Sequence, residues 1–228
     1  MELERLKEEQ RKLARKLIFK DDFSDITKIG GCEILFTSDE IIAIAVVIDA
    51  QTHKLLDKRF FISKPKIPYI PLFQSYREVP IVVEAINLLK EKPDIILYDG
   101  TGILHPTKLG SASHLGLILD IPTIGVAKKR CFGELKDGYI YVDGEKRGVE
   151  LKTREFAKPL CVSPGHKISL QTAEKMVREY LRDGSKLPEP LRIAHNFGVY
   201  VKKNIHHRQQ LEQSLESLKE DFPETESA

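Results

Sequence analysis

The chain has no tryptophan, two methionines and three cysteines in 228 residues. Cys32, Cys131 and Cys161 are odd in number and far apart. That excludes a disulfide framework and a closely spaced zinc motif, and leaves packing as their role. No apolar run reaches the roughly 18 to 20 residues that a membrane span needs. The N-terminus is charged from Glu2 and carries no signal-peptide pattern, so a cytoplasmic protein with no membrane partner is expected.

A large charge of one sign is also missing, because the formal net charge is +2. The total hides an asymmetry. From Leu211 onward six acids (Glu212, Glu216, Glu220, Asp221, Glu224, Glu226) face Lys219 alone, so residues 1–210 hold 35 Lys+Arg against 28 Asp+Glu, a net of +7. A moderately basic body suits a polyanion, and a solvated lysine-rich surface gives the same count. Hydrophobic residues make up 41% of the chain, enough for the core of one large domain.

Residues 2–19 place Leu3, Leu6, Leu13, Leu17 and Ile18 at helical spacing. CEILF (32–36), IIAIAVVIDA (41–50) and LLDKRFFI (55–62) read as an antiparallel meander, its middle strand buried on both faces. Four prolines in residues 64–80 predict an ordered loop, followed by a helix over 81–92 with Pro80 in its first turn. DIILY (94–98) and PTIGVA (122–127) are short apolar strands with a helix over 111–120 between them, which implies a parallel crossover. YIYVDGEKRGVELKT (139–153) reads as a hairpin turning at Asp143-Gly144, PLCVSP (159–164) as a strand, and 170–181 and 188–203 as helices. The expected fold is α/β, with a mixed central sheet of antiparallel meander plus parallel strands flanked by helices, in the order of ribonuclease H-like nucleases.

In such a sheet a ligand site forms where loops leave the carboxyl ends of the strands. The strand ending at Tyr98 delivers Asp99 to that edge, and Gly100, Gly102 and Gly110 let backbone approach a ligand. The other reading of Asp99-Gly100 is a simple turn. Glu33 is the oddest acid, a carboxylate among Cys, Ile, Leu and Phe that must pair, bind metal or face solvent. With Glu78 these acids form no local motif. Hard cations such as Mg²⁺ take oxygen ligands of this kind together with water and phosphate oxygens. His114 and His166 are read as structural; His53, His206 and His207 as surface residues.

PYIP (68–71), YRE (76–78), DGTG with HP (99–106), LGSASHLG (109–116), IPTIGVAKKR (121–130), VSPGH (162–166) and RIAH (192–195) occur in order, and together they closely resemble the endonuclease V family over roughly residues 26–200. The resemblance implies a ribonuclease H-like nuclease domain over residues 1–204, acting as a monomer. An acidic tail over 205–228, helical at first and then disordered, is expected to follow. It implies Mg²⁺-dependent cleavage, with Mn²⁺ able to substitute, at the second phosphodiester 3′ to a deaminated adenine. The substrate would be deoxyinosine in DNA or inosine in RNA, and the products 3′-hydroxyl and 5′-phosphate ends.

By position in those motifs, Asp99, Glu78 and Glu33 match the family's metal-binding and catalytic carboxylates. His105 matches the histidine of the metal-site loop, Lys128 the lysine near the scissile phosphate, and His195 a late residue approaching the metal region. Tyr69, with Pro68, Ile70, Pro71 and Leu72, matches the wedge that enters the duplex. Gly110 and Ser111 fall in the wall of the hypoxanthine pocket. The chain departs from the family in having Glu33 for aspartate, Leu35 for a small polar residue, and Leu72 and Val79 for glycines. A nucleic-acid binder with weakened catalysis, or another ribonuclease H-like structure-specific nuclease, are the alternative readings.

Overall fold

The structure, a computed structural model, describes residues 2–130 and 132–221, with side chains placed from Leu3 to Ile205 within those ranges. Cys131, the side chains of His206 and His207, and the end of the acidic segment from 222 lie outside the described residues.

The first three strands are β1 (Lys28–Phe36), β2 (Ile41–Asp49) and β3 (Leu55–Ser63), paired antiparallel as the meander required. β2 is buried at eight of its nine positions, which is why it lacks polar alternation: both of its faces are covered. β4 (Ile95–Tyr98) runs parallel to β1, and β5 (Thr123–Ala127) parallel to β4, with α3 (Ser111–Leu119) as the crossover between them. β6 (Glu134–Lys136), β7 (Tyr139–Val142), β8 (Glu145–Leu151) and β9 (Leu160–His166) complete an antiparallel wing. All nine strands form one sheet, ordered β3-β2-β1-β4-β5-β9-β8-β7-β6. β6 is missing from the sequence reading, since three exposed residues carry no periodicity.

Two helical layers cover the sheet. On one face α2 (Gln74–Asn87) and α3 bury Val79, Val82, Ala85, Ala112 and Leu115 against Cys32, Ala43, Ala45, Ile96 and Tyr98. On the other face α4 (Leu170–Glu179) contributes Ala173, Met176 and Val177, and α5 (Glu189–Asp221) contributes Leu191, Ala194 and Val201. α1 (Glu2–Ala14) docks through Leu13, and Leu17 beyond it, on Ile103, Leu109 and Leu117. Among the described residues no helix is long and apolar enough to cross a membrane.

One boundary corrects the sequence reading. Residues 74–80 are not loop: α2 begins at Gln74 and carries Pro80 in its interior. Proline there forfeits the bond its N–H would give to the Tyr76 carbonyl. Burial of Val79, Val82, Ala85 and Ile86 on the sheet outweighs that loss. Glu78 therefore stands on a helix. At the other end, α5 continues past 203 to Asp221, a helical start to the acidic segment.

Candidate active site

Four of the sequence-selected residues meet at the carboxyl edge of β1, β4 and β5. Asp99 follows β4, and its N–H donates to the Cys32 carbonyl at 2.9 Å, extending the β1–β4 ladder so that Asp99 lies beside Glu33. Lys128 follows β5, and its Nζ stands 2.8 Å from Glu33 Oε1 and 2.6 Å from Asp99 Oδ2. From the opposite helical layer His195 places Nδ1 2.9 and 3.1 Å from the two Glu33 oxygens. Those contacts set the tautomer: Nδ1 carries the hydrogen that the carboxylate accepts.

Glu33 is 5% exposed, so the choice between pairing, metal binding and facing solvent resolves against solvent. α5 reaches it because β1 has Gly31 at the crossing point, where a Cβ would collide with the Pro190 carbonyl. Close helix–sheet contact there puts His195, about a turn and a half further on, over the Glu33 carboxylate.

Burial and the neighbouring Glu33 charge push the Asp99 carboxyl up to about 6, with Lys128 pulling the other way. Burial works against the Lys128 ammonium, but its bonds to Asp99 and Glu33 prevail and raise its pKa. One cation thus serves two closely placed acids.

Glu78 does not join this pair. It lines a cavity of about 210 Å³ with Leu72, Gln74, Ser75, Gly100, Thr101, His105, Leu109, Gly110, Ser111 and Phe132. Burial raises its carboxyl to about 7, offset in part by Arg77 and the Ser111 hydroxyl. Glu78 and Asp99 both act on the buried Tyr98 hydroxyl. Among the described residues no group of three or more His, Cys, Asp or Glu side chains is gathered to hold a metal. The donor set at the edge is a carboxylate pair, which matches a hard cation that takes one or two carboxylates and completes its shell with water and phosphate.

The same cavity is walled by His105, which is 4% exposed and held neutral by burial, its pKa lowered to about 4. Its Nδ1 lies 2.9 Å from the Thr107 hydroxyl, its ring meets Phe132 edge-on at 5.6 Å, and the Leu72 carbonyl accepts from the imidazole, whose Nε2 is buried. The loop that carries His105 is fastened to β9. Gly102 N–H donates to Ser163 Oγ at 3.0 Å and Ile103 N–H to the Pro164 carbonyl at 2.8 Å. Gly102 has no room for a Cβ because the Pro164 carbonyl stands there. The glycine allows backbone to approach backbone, where the sequence reading expected it to admit a ligand.

Tyr69 is 58% exposed, and its hydroxyl accepts from Gln74 Nε2 at 3.1 Å. Pro68, Ile70 and Pro71 share its loop. Leu72 adopts φ of +70°, the left-handed region that glycine prefers, which gives the departure from glycine here a structural cost of about 1 kcal/mol. Its carbonyl accepts from Gln10 Nε2 at 2.9 Å.

Gln10 and Arg147 escaped the sequence reading. Gln10, 1% exposed, falls in the gap of the stripe Leu3, Leu6, Leu13, Leu17, and a polar residue on that stripe was the available signal. Arg147 on β8 is 5% exposed and donates to the carbonyl of His105 at 2.9 Å, while its Nε donates to Glu145 Oε2 at 3.0 Å. Nothing in the hairpin sequence marks it. His114 is buried edge-on to Tyr76, and His166 is buried beside Asp120, in keeping with structural roles.

A family model described as endonuclease V matches residues 11–196. An endonuclease V of Dictyoglomus thermophilum is 40% identical over 206 residues, spanning 86% of this chain and 88% of that protein. The crystal structure of endonuclease V from Streptomyces avermitilis superposes with a TM-score of 0.82 at 27% identity, covering 89% of this chain and 94% of that one. The Ciona intestinalis endonuclease V, 24% identical with a TM-score of 0.77 over 90% of this chain and 99% of that one, was solved with a 24-mer DNA containing an inosine followed by a ribo-adenosine.

Proposed function

The chain belongs to the endonuclease V family, and from that premise we propose that it hydrolyses the second phosphodiester 3′ to a deaminated adenine in a divalent-metal-dependent reaction. The observation that carries the reading is the buried pair Glu33 and Asp99 sharing one ammonium at the sheet edge. Two acids this close need a cation, and their oxygens suit Mg²⁺, with Mn²⁺ as a substitute. Glu33 and Asp99 would hold such a cation, which would supply charge for the phosphate and a water of lowered pKa.

The remaining roles follow from position. His195 fixes the orientation of Glu33 through its Nδ1–H. Lys128, once its ammonium turns from the acids, offers charge to the phosphate that is cut. Glu78, with a carboxyl near 7, can hold or release a proton at neutral pH and orients the sugar-phosphate beside the cavity.

The cavity itself suits an extruded base. Its polar groups are mostly uncharged, His105 being neutral and Glu78 drawn toward its neutral form, with Gly110 and Ser111 presenting the start of α3. His105, a neutral imidazole in the cavity wall, gives a hydrogen-bonding group that can read a purine edge once the Leu72 segment beside it moves. Tyr69, exposed on the loop Pro68–Leu72, is placed to enter the stack that the base vacates. The inosine in the Ciona complex supports hypoxanthine as that base, in DNA or RNA.

The test is cleavage of end-labelled strands carrying inosine, deoxyinosine, uracil or no lesion, in Mg²⁺ and in Mn²⁺. Products one nucleotide beyond the hypoxanthine, with 3′-hydroxyl ends, are expected from the first two alone. Equal cutting of undamaged strands or flaps would favour a structure-specific nuclease. A retarded complex without product in either metal would favour a binding protein.

A further inference from the structure

Phe156 is 96% exposed, more than any other large hydrophobic side chain described. It also has φ of +60°, a conformation that costs a non-glycine residue about a tenfold factor in equilibrium. Neither property helps the fold, since a hydrated phenyl ring and a left-handed backbone both oppose it.

Its place in the sheet gives the ring a use. Residues 152–159 join β8 to β9, and Leu151 pairs with Leu160 at the base of this loop. One strand over, Cys161 pairs with Ala127. The loop therefore leaves the sheet at the same edge as Lys128, next to exposed Lys129 and Arg130. Lys152, Arg154 and Lys158 within the loop are exposed as well, with Glu155 as the one acid among them. An aromatic ring set among cations, continuous with a phosphodiester-cutting edge, is the chemistry that binds a single nucleic-acid strand: cations follow the phosphates and the ring stacks on a base.

We propose that Phe156 is a second aromatic contact for the nucleic-acid strand, separate from Tyr69 and past Lys128 along the sheet edge, that stacks on an ordinary base and is indifferent to the lesion. This rests on the proposed nuclease reading. Stacking on any base has a distinct signature, because it strengthens binding to damaged and undamaged strands by the same factor and leaves their ratio alone.

The experiment measures Kd by fluorescence anisotropy in EDTA, so that no strand is cut, for single strands with and without one deoxyinosine. Phe156→Gly should weaken both by about tenfold and leave their ratio unchanged, while the Tm is not lowered because glycine suits the backbone. Phe156→Trp should bind like the wild type, and Phe156→Leu like the glycine variant. Wild-type binding by Phe156→Gly, or full binding by Phe156→Leu, overturns the proposal, as does a change confined to the deoxyinosine strand. If the wild type does not distinguish the two strands, the hypoxanthine reading fails, while the Phe156 comparison still decides on the stacking contact.

Discussion

The two halves of the site solve opposite electrostatic problems. At the sheet edge, charge is concentrated: Lys128 bonds both Glu33 and Asp99, and His195 bonds Glu33. In the neighbouring cavity, charge is suppressed: burial holds His105 neutral and draws Glu78 toward its neutral form. The first arrangement suits a phosphate and its cation, which need a strong field. The second suits a base, whose identity lies in uncharged donors and acceptors. Cutting and recognition can therefore be damaged independently.

The largest effect expected from that separation is at the edge. Asp99→Ala should lower cleavage by more than about a thousandfold while strand binding persists, because the alanine removes one of two acids and leaves the cavity intact. Cleavage at the wild-type rate would mean that the edge is not where the chemistry occurs. A smaller loss is expected from His105→Leu, which keeps the volume and removes both nitrogens. Preference for deoxyinosine over undamaged strands should fall by roughly tenfold to a hundredfold, mostly through KM. An unchanged ratio would break the division between the two regions.

The smallest effect tests charge suppression directly. The Glu78 carboxyl titrates near 7 when folded against 4.5 ordinarily. A raised acid binds more protons when folded, so stability falls as pH rises from 4.5 to 7, and the full cost is present above that window. In metal-free protein, Glu78→Gln should raise the Tm at pH 8 by roughly 5 °C and leave it unchanged near pH 4.5. Thermal melts at the two pH values decide it; an equal gain at both would point to packing instead.

Much of this was legible in the sequence, for identifiable reasons. The meander and the crossover announce themselves because buried strands such as 41–49 are continuous apolar runs. Glu33 and Asp99 stand out as acids at apolar strands. The start of α2 was hidden because prolines at 68, 71 and 80 argue for loop, and only packing on the sheet overrides Pro80. Glu78 could not be separated from the carboxylate pair by spacing, since the distinction lies in the tertiary placement of α2, which sets Glu78 in the cavity wall. Arg147 and Phe156 depend on a sheet register that no local pattern contains.

The attachment of the His105 loop to β9 has a mechanical consequence. Two bonds from Gly102 and Ile103 to Ser163 and Pro164 tie that side of the cavity to the middle of a nine-stranded sheet. The Leu72 carbonyl is held by the Gln10 amide and by the His105 imidazole, while its backbone carries the left-handed strain. Rigidity of the sheet is thus handed on through His105 to the loop that carries Tyr69. On the proposed reading, a base entering the cavity would be measured against the sheet-backed side, and the strained Leu72 turn is where the wall would give.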